Sequence, residues 1–361
     1  GIDFTRYYAQ SAVKLGKGAQ PISVWGEENT TIYEPRGVVA VIAPWNFPFA
    51  ISAGMVTAAL ASGNTVVYKP AEQTSANGQK LCELLWEAGV PKDALHFVPG
   101  KGEEVGAHMV NHPDVAAIAF TGSREVGLNI LKDAAVIHPG QRHIKKVIAE
   151  LGGKNAIIVD SDADLDEAVP GTVHSAFGFQ GQKCSACSRV IVVGSAYEPF
   201  VERLKEMVHS LHVGAADDPT NDVSAVIDEE AAKKVQSYIS IGNKDGKLLA
   251  QASCDDKNGH FVQPSVFTDL KKDSRLTTEE VFGPVLAVYK AKDMDEAINM
   301  ATDTDYGLTG GVFSRNPRTI EKIKKQYKVG NLYINRGITG ALVGRQPFGG
   351  GKLSGTCCKT G

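Results

Sequence analysis

Two kinds of local pattern in this sequence could do chemistry. The first is FGFQGQKCSACSRVIVV (177–193), where Cys184 and Cys187 are spaced C-x-x-C. A helix is predicted to end near Gly178 and a strand to begin near Arg189, so Cys184 would stand on a turn, where a reactive group can be presented. Four readings compete. A zinc half-site needs a second C-x-x-C or paired histidines, and the sequence offers neither. A thioredoxin-like redox pair needs an adjacent helix N-terminus, but a strand follows. A lone nucleophile, with Cys187 a passive neighbour, needs an activating base and an oxyanion donor elsewhere. The fourth reading is a small buried hydrophobe.

The second pattern is glycine at strand-to-helix turns. Gly100, Gly102 and Gly106 spell G-x-G-x-x-x-G, one residue longer than the dinucleotide fingerprint. FTGS (120–123) is a similar turn, with Ser123 as a helix N-cap beside backbone N–H groups able to meet a phosphate. Two such turns on neighbouring strands favour a nucleotide site at the carboxyl ends of a parallel sheet. Steric turn chemistry is the alternative for either loop taken singly.

Such turns need a frame of alternating strands and helices. Apolar β-branched runs predict strands at 37–43, 64–69, 95–98 and 116–120, with helices at 49–62, 74–88, 102–111 and 123–135. This alternation implies a parallel sheet covered on both faces. A second set follows Gly152-Gly153. It has strands at 155–159, 189–193, 260–267, 284–290, 308–314 and 331–334, and helices at 163–178, 197–211, 228–242, 293–302 and 317–327. The expected organisation is a cofactor domain over 1–150, a second α/β domain over 151–334, and a loop over 335–361 returning towards the first. Residues 23–36 alternate polar side chains and predict a protruding two-stranded hairpin able to pair with another subunit.

The 361 residues fit two domains, and 43% hydrophobic with 22% charged residues is ordinary globular composition. The net charge is −3 and no basic stripe stands out, which argues against a nucleic-acid partner. Six unevenly spaced cysteines do not make a disulfide framework, so a reducing, cytoplasmic compartment is expected (the mitochondrial matrix in a eukaryote). No apolar run approaches the ~20 residues of a membrane helix. With no initiating Met and no obvious final element at CCKTG, a trimmed chain or fragment is expected.

Seven motifs then occur in order: PWNFP (44–48), KPAEQTS (69–75), FTGSREVG (120–127), ELGGKN (150–155), GQKCSACSR (181–189), EEVFGP (279–284) and QPFGG (346–350). Together they resemble the aldehyde dehydrogenase superfamily over nearly the whole chain. INRGITGALVGRQPFGG (334–350) with GQKCSACSR is most similar to its Δ1-pyrroline-5-carboxylate dehydrogenase branch, which oxidises glutamate γ-semialdehyde to glutamate in proline breakdown. That module also occurs fused behind a proline dehydrogenase domain. Another short aldehyde, such as succinate semialdehyde, is the alternative substrate; a catalytically silent relative or a redox sensor is the alternative class.

The resemblance implies roles residue by residue. Cys184 matches the nucleophile, Asn46 the oxyanion donor together with the Cys184 backbone N–H, and Glu150 the base for thioester hydrolysis. Trp45, Lys69, Glu72, Gly102, Gly106, Thr121, Gly122, Ser123, Glu280 and Phe282 match the cofactor site. Glu72 would accept a free ribose 2′-OH and repel a 2′-phosphate, favouring NAD over NADP. The backbone N–H groups of Gly340 and Ala341, with the Ser185 hydroxyl, would hold the substrate carboxylate. Phe177 and Phe348 would flank its stem. No metal is implied, and the expected assembly is a homo-oligomer. The plain alternatives are a turn-capping Asn46, a capping or solvated Glu150 and a surface Glu280. Three features depart from the family: Gly350-Gly351-Lys352 in place of a bulky residue, DVSAVID (222–228) where Gly-Pro is common, and the Cys357-Cys358 pair. The family's last strand, which joins a neighbouring subunit, is expected beyond Gly361.

Overall fold

The computed structural model describes residues 1–254 and 259–361. They form two compact units, one of Gly1–Leu151 with Ala341–Phe348 and Cys358–Gly361, the other of Gly152–Gly340 with Gly349–Cys357.

The first unit runs α1 (Ile2–Gly16), β1 (Val38–Ile42), α2 (Ala50–Ala61), β2 (Thr65–Lys69), α3 (Ser75–Glu87), β3 (Leu95–Phe97), α4 (Ala107–Asn111), β4 (Val115–Thr121), α5 (Arg124–Ala134) and β5 (Lys146–Glu150). Its strands lie in the order β3-β2-β1-β4-β5 and every pair is parallel. Alternate side chains point to opposite faces. Ala40, Ile42, Ile118 and Phe120 meet Met109 and Val110 of α4 and Ile130 of α5, whereas Val39, Val41, Val66 and Tyr68 meet Val56 and Ala59 of α2 and Cys82 of α3. The chain moves from β1 outward to β3, then crosses back to β4. The crevice where strand order reverses is where open parallel sheets bind ligands.

Three features differ from the sequence pattern. Residues 102–111 do not form one helix: a π-type turn over Gly102–Gly106 precedes α4. β5, an edge strand with exposed Lys146 and Ile148, lies outside the sequence pattern, because its apolar run is only three residues long between the charged Lys146 and Glu150. Near 23–36 the described residues pair at a single antiparallel bridge, Ala19 with Thr31.

The second unit runs β6 (Asn155–Val159), α6 (Leu165–Phe177), β7 (Cys187–Val193), α7 (Tyr197–His209), α8 (Glu229–Asp245), β8 (Lys247–Gln251), β9 (Ser265–Thr268), α9 (Arg275–Thr278), β10 (Val285–Ala291), α10 (Met294–Thr302), β11 (Tyr306–Gly307), β12 (Thr309–Phe313), α11 (Pro317–Gln326), β13 (Asn331–Ile334) and β14 (Gly351–Lys352). The large sheet has the order β13-β12-β6-β7-β10-β9-β8, and β8 alone pairs antiparallel. One face packs Ile157, Val159, Val190 and Val192 on Phe200 and Leu204 of α7; the other packs Ala156, Ile158 and Ile191 on Ala297 and Ile298 of α10 and Ile323 of α11. Side-chain caps start the helices: Asp164 for α6, Asp228 for α8, Asp293 for α10 and Asn316 for α11 each accept a first-turn N–H. Among the described residues, no helix is long and apolar enough to cross a membrane.

Candidate active site

In the first unit the sequence-predicted residues gather at one edge of the sheet. All five strands are parallel, so their carboxyl ends share that edge. Trp45 and Asn46 follow β1, Lys69 ends β2, Gly102 and Gly106 follow β3, Thr121 ends β4, and Glu150 ends β5. Asn46 is buried, and its Oδ1 accepts the Phe47 N–H at 3.1 Å. Lys69 is 3% exposed and donates from Nζ to the Pro70 carbonyl at 2.9 Å and to Glu72 Oε1 at 3.0 Å. Burial pushes the Glu72 carboxyl up, but its own backbone N–H, Lys69 and the Gly102 backbone together hold it below the usual range. Gly106 lies against the Lys69 stem.

Gly122 donates its N–H to the Glu150 carbonyl at 3.1 Å, tying the ends of β4 and β5. A Cβ on Gly122 would strike the Phe120 ring. Ser123 caps α5, its Oγ accepting the Val126 N–H at 3.3 Å, so a helix N-terminus with its partial positive charge faces this edge. Glu150 is 7% exposed at the last position of β5. Ala341 and Phe348 are half-buried on the returning loop, where Phe348 exchanges backbone hydrogen bonds with Thr360.

In the second unit the candidates lie at the opposite kind of edge. Gly153, Cys184 and Glu280 immediately precede the parallel strands β6, β7 and β10, so they share the amino edge of that sheet. Cys184 is partly exposed. Cys187 is not its partner in chemistry: it is 1% exposed in the core, its Sγ donates to the Arg189 carbonyl at 3.2 Å, and burial pushes its thiol up to about 12. No disulfide joins the six cysteines, and among the described residues no group of three or more His, Cys, Asp or Glu side chains could hold a metal. Phe179 and Gln180 take left-handed backbone (φ 58° and 57°) just before the Cys184 turn. Phe177, expected beside the substrate stem, is 1% exposed and packs within the main core, and Ser185, next to Cys184 in the chain, is 9% exposed. Phe282 is also left-handed, with φ 58°, and half-buried. Gly340, with φ 80°, has no atom within 4 Å of where a Cβ would stand, apart from its chain neighbours.

Several residues near Cys184 had no role in the sequence reading. Asn155, 3% exposed, donates from Nδ2 to the carbonyls of Cys184 (2.7 Å) and Ala186 (2.9 Å) and accepts the Thr309 N–H at 3.0 Å. Thr309 donates from Oγ1 to the Ser185 carbonyl at 3.2 Å. Lys154, wholly buried, donates to the Glu279 carbonyl at 2.7 Å. Arg189 is equally buried and bonds the carbonyls of Lys154, Met300 and Ala301, closing the C-terminus of α10. For Lys154, Asn155 and Arg189 the sequence signal is a charged or amide side chain beside an apolar run, as in ELGGKNAIIV (150–159); Thr309 carries no such signal.

The aldehyde dehydrogenase family model matches residues 1–361. The chain is 50% identical over 360 residues to 1-pyrroline-5-carboxylate dehydrogenases of Geobacillus sp. (strain WCH70) and Anoxybacillus flavithermus, covering 100% of this chain and 70% of theirs. Among solved structures, 1-pyrroline-5-carboxylate dehydrogenase from Thermus with bound NAD matches with TM-score 0.97 and 49% identity, over 99% of this chain and 70% of that one. Proline utilization A from Bdellovibrio bacteriovorus, inactivated by N-propargylglycine, matches with TM-score 0.98 and 52% identity, over 100% of this chain and 37% of that one. With the motifs of each sheet edge in place and the match running end to end, the chain belongs to the aldehyde dehydrogenase family.

Proposed function

We propose that this chain oxidises L-glutamate γ-semialdehyde, formed from Δ1-pyrroline-5-carboxylate, to L-glutamate with NAD, through a thioester on Cys184. The observation that carries this reading is 50% identity over 360 residues to 1-pyrroline-5-carboxylate dehydrogenases, with Cys184 and Glu150 both present.

The Cys184 thiolate adds to the aldehyde carbon, forming the S–C bond and moving the carbonyl π electrons onto oxygen. The Asn46 amide and the Cys184 backbone N–H donate to that oxygen; losing one such donor typically costs ~10²–10³ in rate. Bound NAD would supply the hydride acceptor, and loss of hydride from the carbon held on Cys184 leaves an acyl thioester on sulfur. Glu150 then takes a proton from water, the water oxygen attacks the acyl carbon, and the thiolate leaves. A thiol suits this sequence because thiolates form near neutral pH and serve as leaving groups.

The residues of the first unit fit a dinucleotide. Lys69 and Glu72 would meet the adenosine ribose, Gly102 and Gly106 leave room for close approach, and Thr121, Gly122 and Ser123 bring the α5 N-terminus to a pyrophosphate. Trp45, Glu280 and Phe282 are assigned to the nicotinamide side. The Gly340 backbone, Ala341 and the Ser185 hydroxyl suit the substrate carboxylate, with Phe348 beside the stem. The exposed apolar side chains Ile22 (95%), Trp25 (102%) and Ile32 (69%) support a homo-oligomer built through this segment. The likeness to proline utilization A supports action in proline breakdown, alone or joined to a proline dehydrogenase, and we assign the chain to the cytoplasm.

The test is NADH formation from Δ1-pyrroline-5-carboxylate and, side by side, from succinate semialdehyde. The expected result is a kcat/KM at least about tenfold higher for the former, a gap of ~1.4 kcal/mol. A reversed preference would replace the substrate. Cys184→Ala should abolish NADH formation while leaving NAD binding intact, and an active variant would remove the thioester.

A further inference from the structure

Cys184 sits on a turn with no ladder of its own, yet its backbone is tethered at three successive carbonyls. Asn155 Nδ2 takes the Cys184 carbonyl at 2.7 Å and the Ala186 carbonyl at 2.9 Å; Thr309 Oγ1 takes the Ser185 carbonyl between them at 3.2 Å. The two tethers are themselves joined, since Asn155 Oδ1 accepts the Thr309 N–H at 3.0 Å. Asn155 begins β6 and Thr309 begins β12, neighbouring parallel strands buried on both faces. A rigid sheet therefore grips an irregular loop.

The sequence makes room for this grip. A Cβ on Gly153 would lie 2.6 Å from the Cys184 carbonyl oxygen, so only glycine lets that carbonyl come in to the sheet. On β7 the register slips so that Asn155 faces Cys187 while Ala156 faces Arg189, leaving Ser188 as the extra residue of a bulge. Bulges re-aim the residues beside them. Upstream, the left-handed Phe179 and Gln180 lead into the turn and Gln182 Oε1 accepts the Ile227 N–H at 2.9 Å, so the loop is held on both sides of Cys184.

We propose that Asn155 and Thr309 are positioning residues for the Cys184 thiol, an inference that rests on Cys184 being the nucleophile. Three fixed carbonyls fix the backbone dihedrals at 184–186, and with them the direction of the Cys184 side chain and N–H. They also keep three carbonyl oxygens committed to donors on the sheet. Released carbonyls could turn towards a thiolate and disfavour it.

The experiment uses the full chain with NAD and compares Asn155→Asp, Thr309→Val and Thr309→Ser. Aspartate keeps the shape of asparagine but cannot donate to either carbonyl, valine removes the Thr309 hydroxyl, and serine restores it. Two readouts are taken: the pre-steady-state burst of NADH, and iodoacetamide alkylation of Cys184 followed on its own peptide across pH. Misplacing a reacting group by about 1 Å can cost ~10²-fold, so the burst should slow roughly 10- to 10²-fold in Asn155→Asp and less in Thr309→Val. The Cys184 alkylation profile should move to higher pH in both, NAD affinity should stay within about twofold of wild type, and Thr309→Ser should behave as wild type. An unmoved alkylation profile in Thr309→Val overturns the proposal, as does a Thr309→Ser variant as slow as the valine. Should Asn155→Asp fail to fold, the Thr309 pair decides alone. Cys184→Ala separates the two ideas: if it still forms NADH the nucleophile reading fails, while the alkylation profiles still report whether the thiol is held.

Discussion

Gly153 donates its backbone N–H to Glu280 Oε1 at 2.8 Å, and the carboxylate rests where a Cβ on Gly152 would stand. The glycine pair is thus a seat for Glu280 as well as the start of the second unit. Gly152→Ala should push Glu280 off this seat, and overpacking of this kind typically costs about 1–3 kcal/mol. The expected outcome is a lower melting temperature and NAD binding weaker by roughly tenfold, read by fluorescence titration. Wild-type NAD affinity in Gly152→Ala would remove Glu280 from the cofactor site.

Glu150→Gln separates the two halves of the proposed reaction. Glutamine preserves shape and the buried position at the end of β5, but it cannot take a proton from water. A burst of NADH should survive while steady turnover falls by ~10²–10⁴, the usual worth of a general base. Equal loss of burst and turnover would assign Glu150 to an earlier step.

Much of this arrangement could be read from the sequence, for a physical reason. Strands buried on both faces, such as β1 and β4, are continuous apolar runs that stand out, and Ser123 was recognisable because caps are local. β5 and β8 escaped notice: an edge strand is half solvated and its sequence, KVIAE or KLLAQ, mixes charge with apolar residues. The roles of Asn155 and Thr309 were invisible because they depend on contacts across long stretches of chain, and ELGGKN marks only that something is there. The C-x-x-C spacing does not tell Cys187 from Cys184; the GQKCSACSR resemblance does, and the burial of Cys187 gives the physical reason.

The cofactor preference rests on Glu72, whose side chain is 46% exposed and paired with buried Lys69 at 3.0 Å. A carboxylate held in its charged form repels a 2′-phosphate. Glu72→Gln should raise kcat/KM for NADP relative to NAD by about tenfold, near 1.4 kcal/mol, without abolishing NAD use. An unchanged ratio would mean that another group excludes the phosphate.

Lys154 predicts a pH dependence of stability. Burial pushes its ammonium down to about 7, the Arg189 cation adds to this, and the Glu280 and Glu279 carboxylates oppose it. In the unfolded chain the same group titrates near ~10.4. Between about pH 7 and 10 the unfolded chain therefore holds a proton that the folded chain lacks, so stability should rise with pH across this window. Below about pH 7 both states are protonated and the burial penalty is complete. Lys154→Met keeps the stem, removes the charge and gives up the bond to the Glu279 carbonyl, worth about 1 kcal/mol. Urea midpoints measured from pH 7 to 9.5 should climb more steeply for the wild type than for the variant. Parallel curves would show that the rise comes from other groups and that Lys154 is not the one releasing its proton on folding.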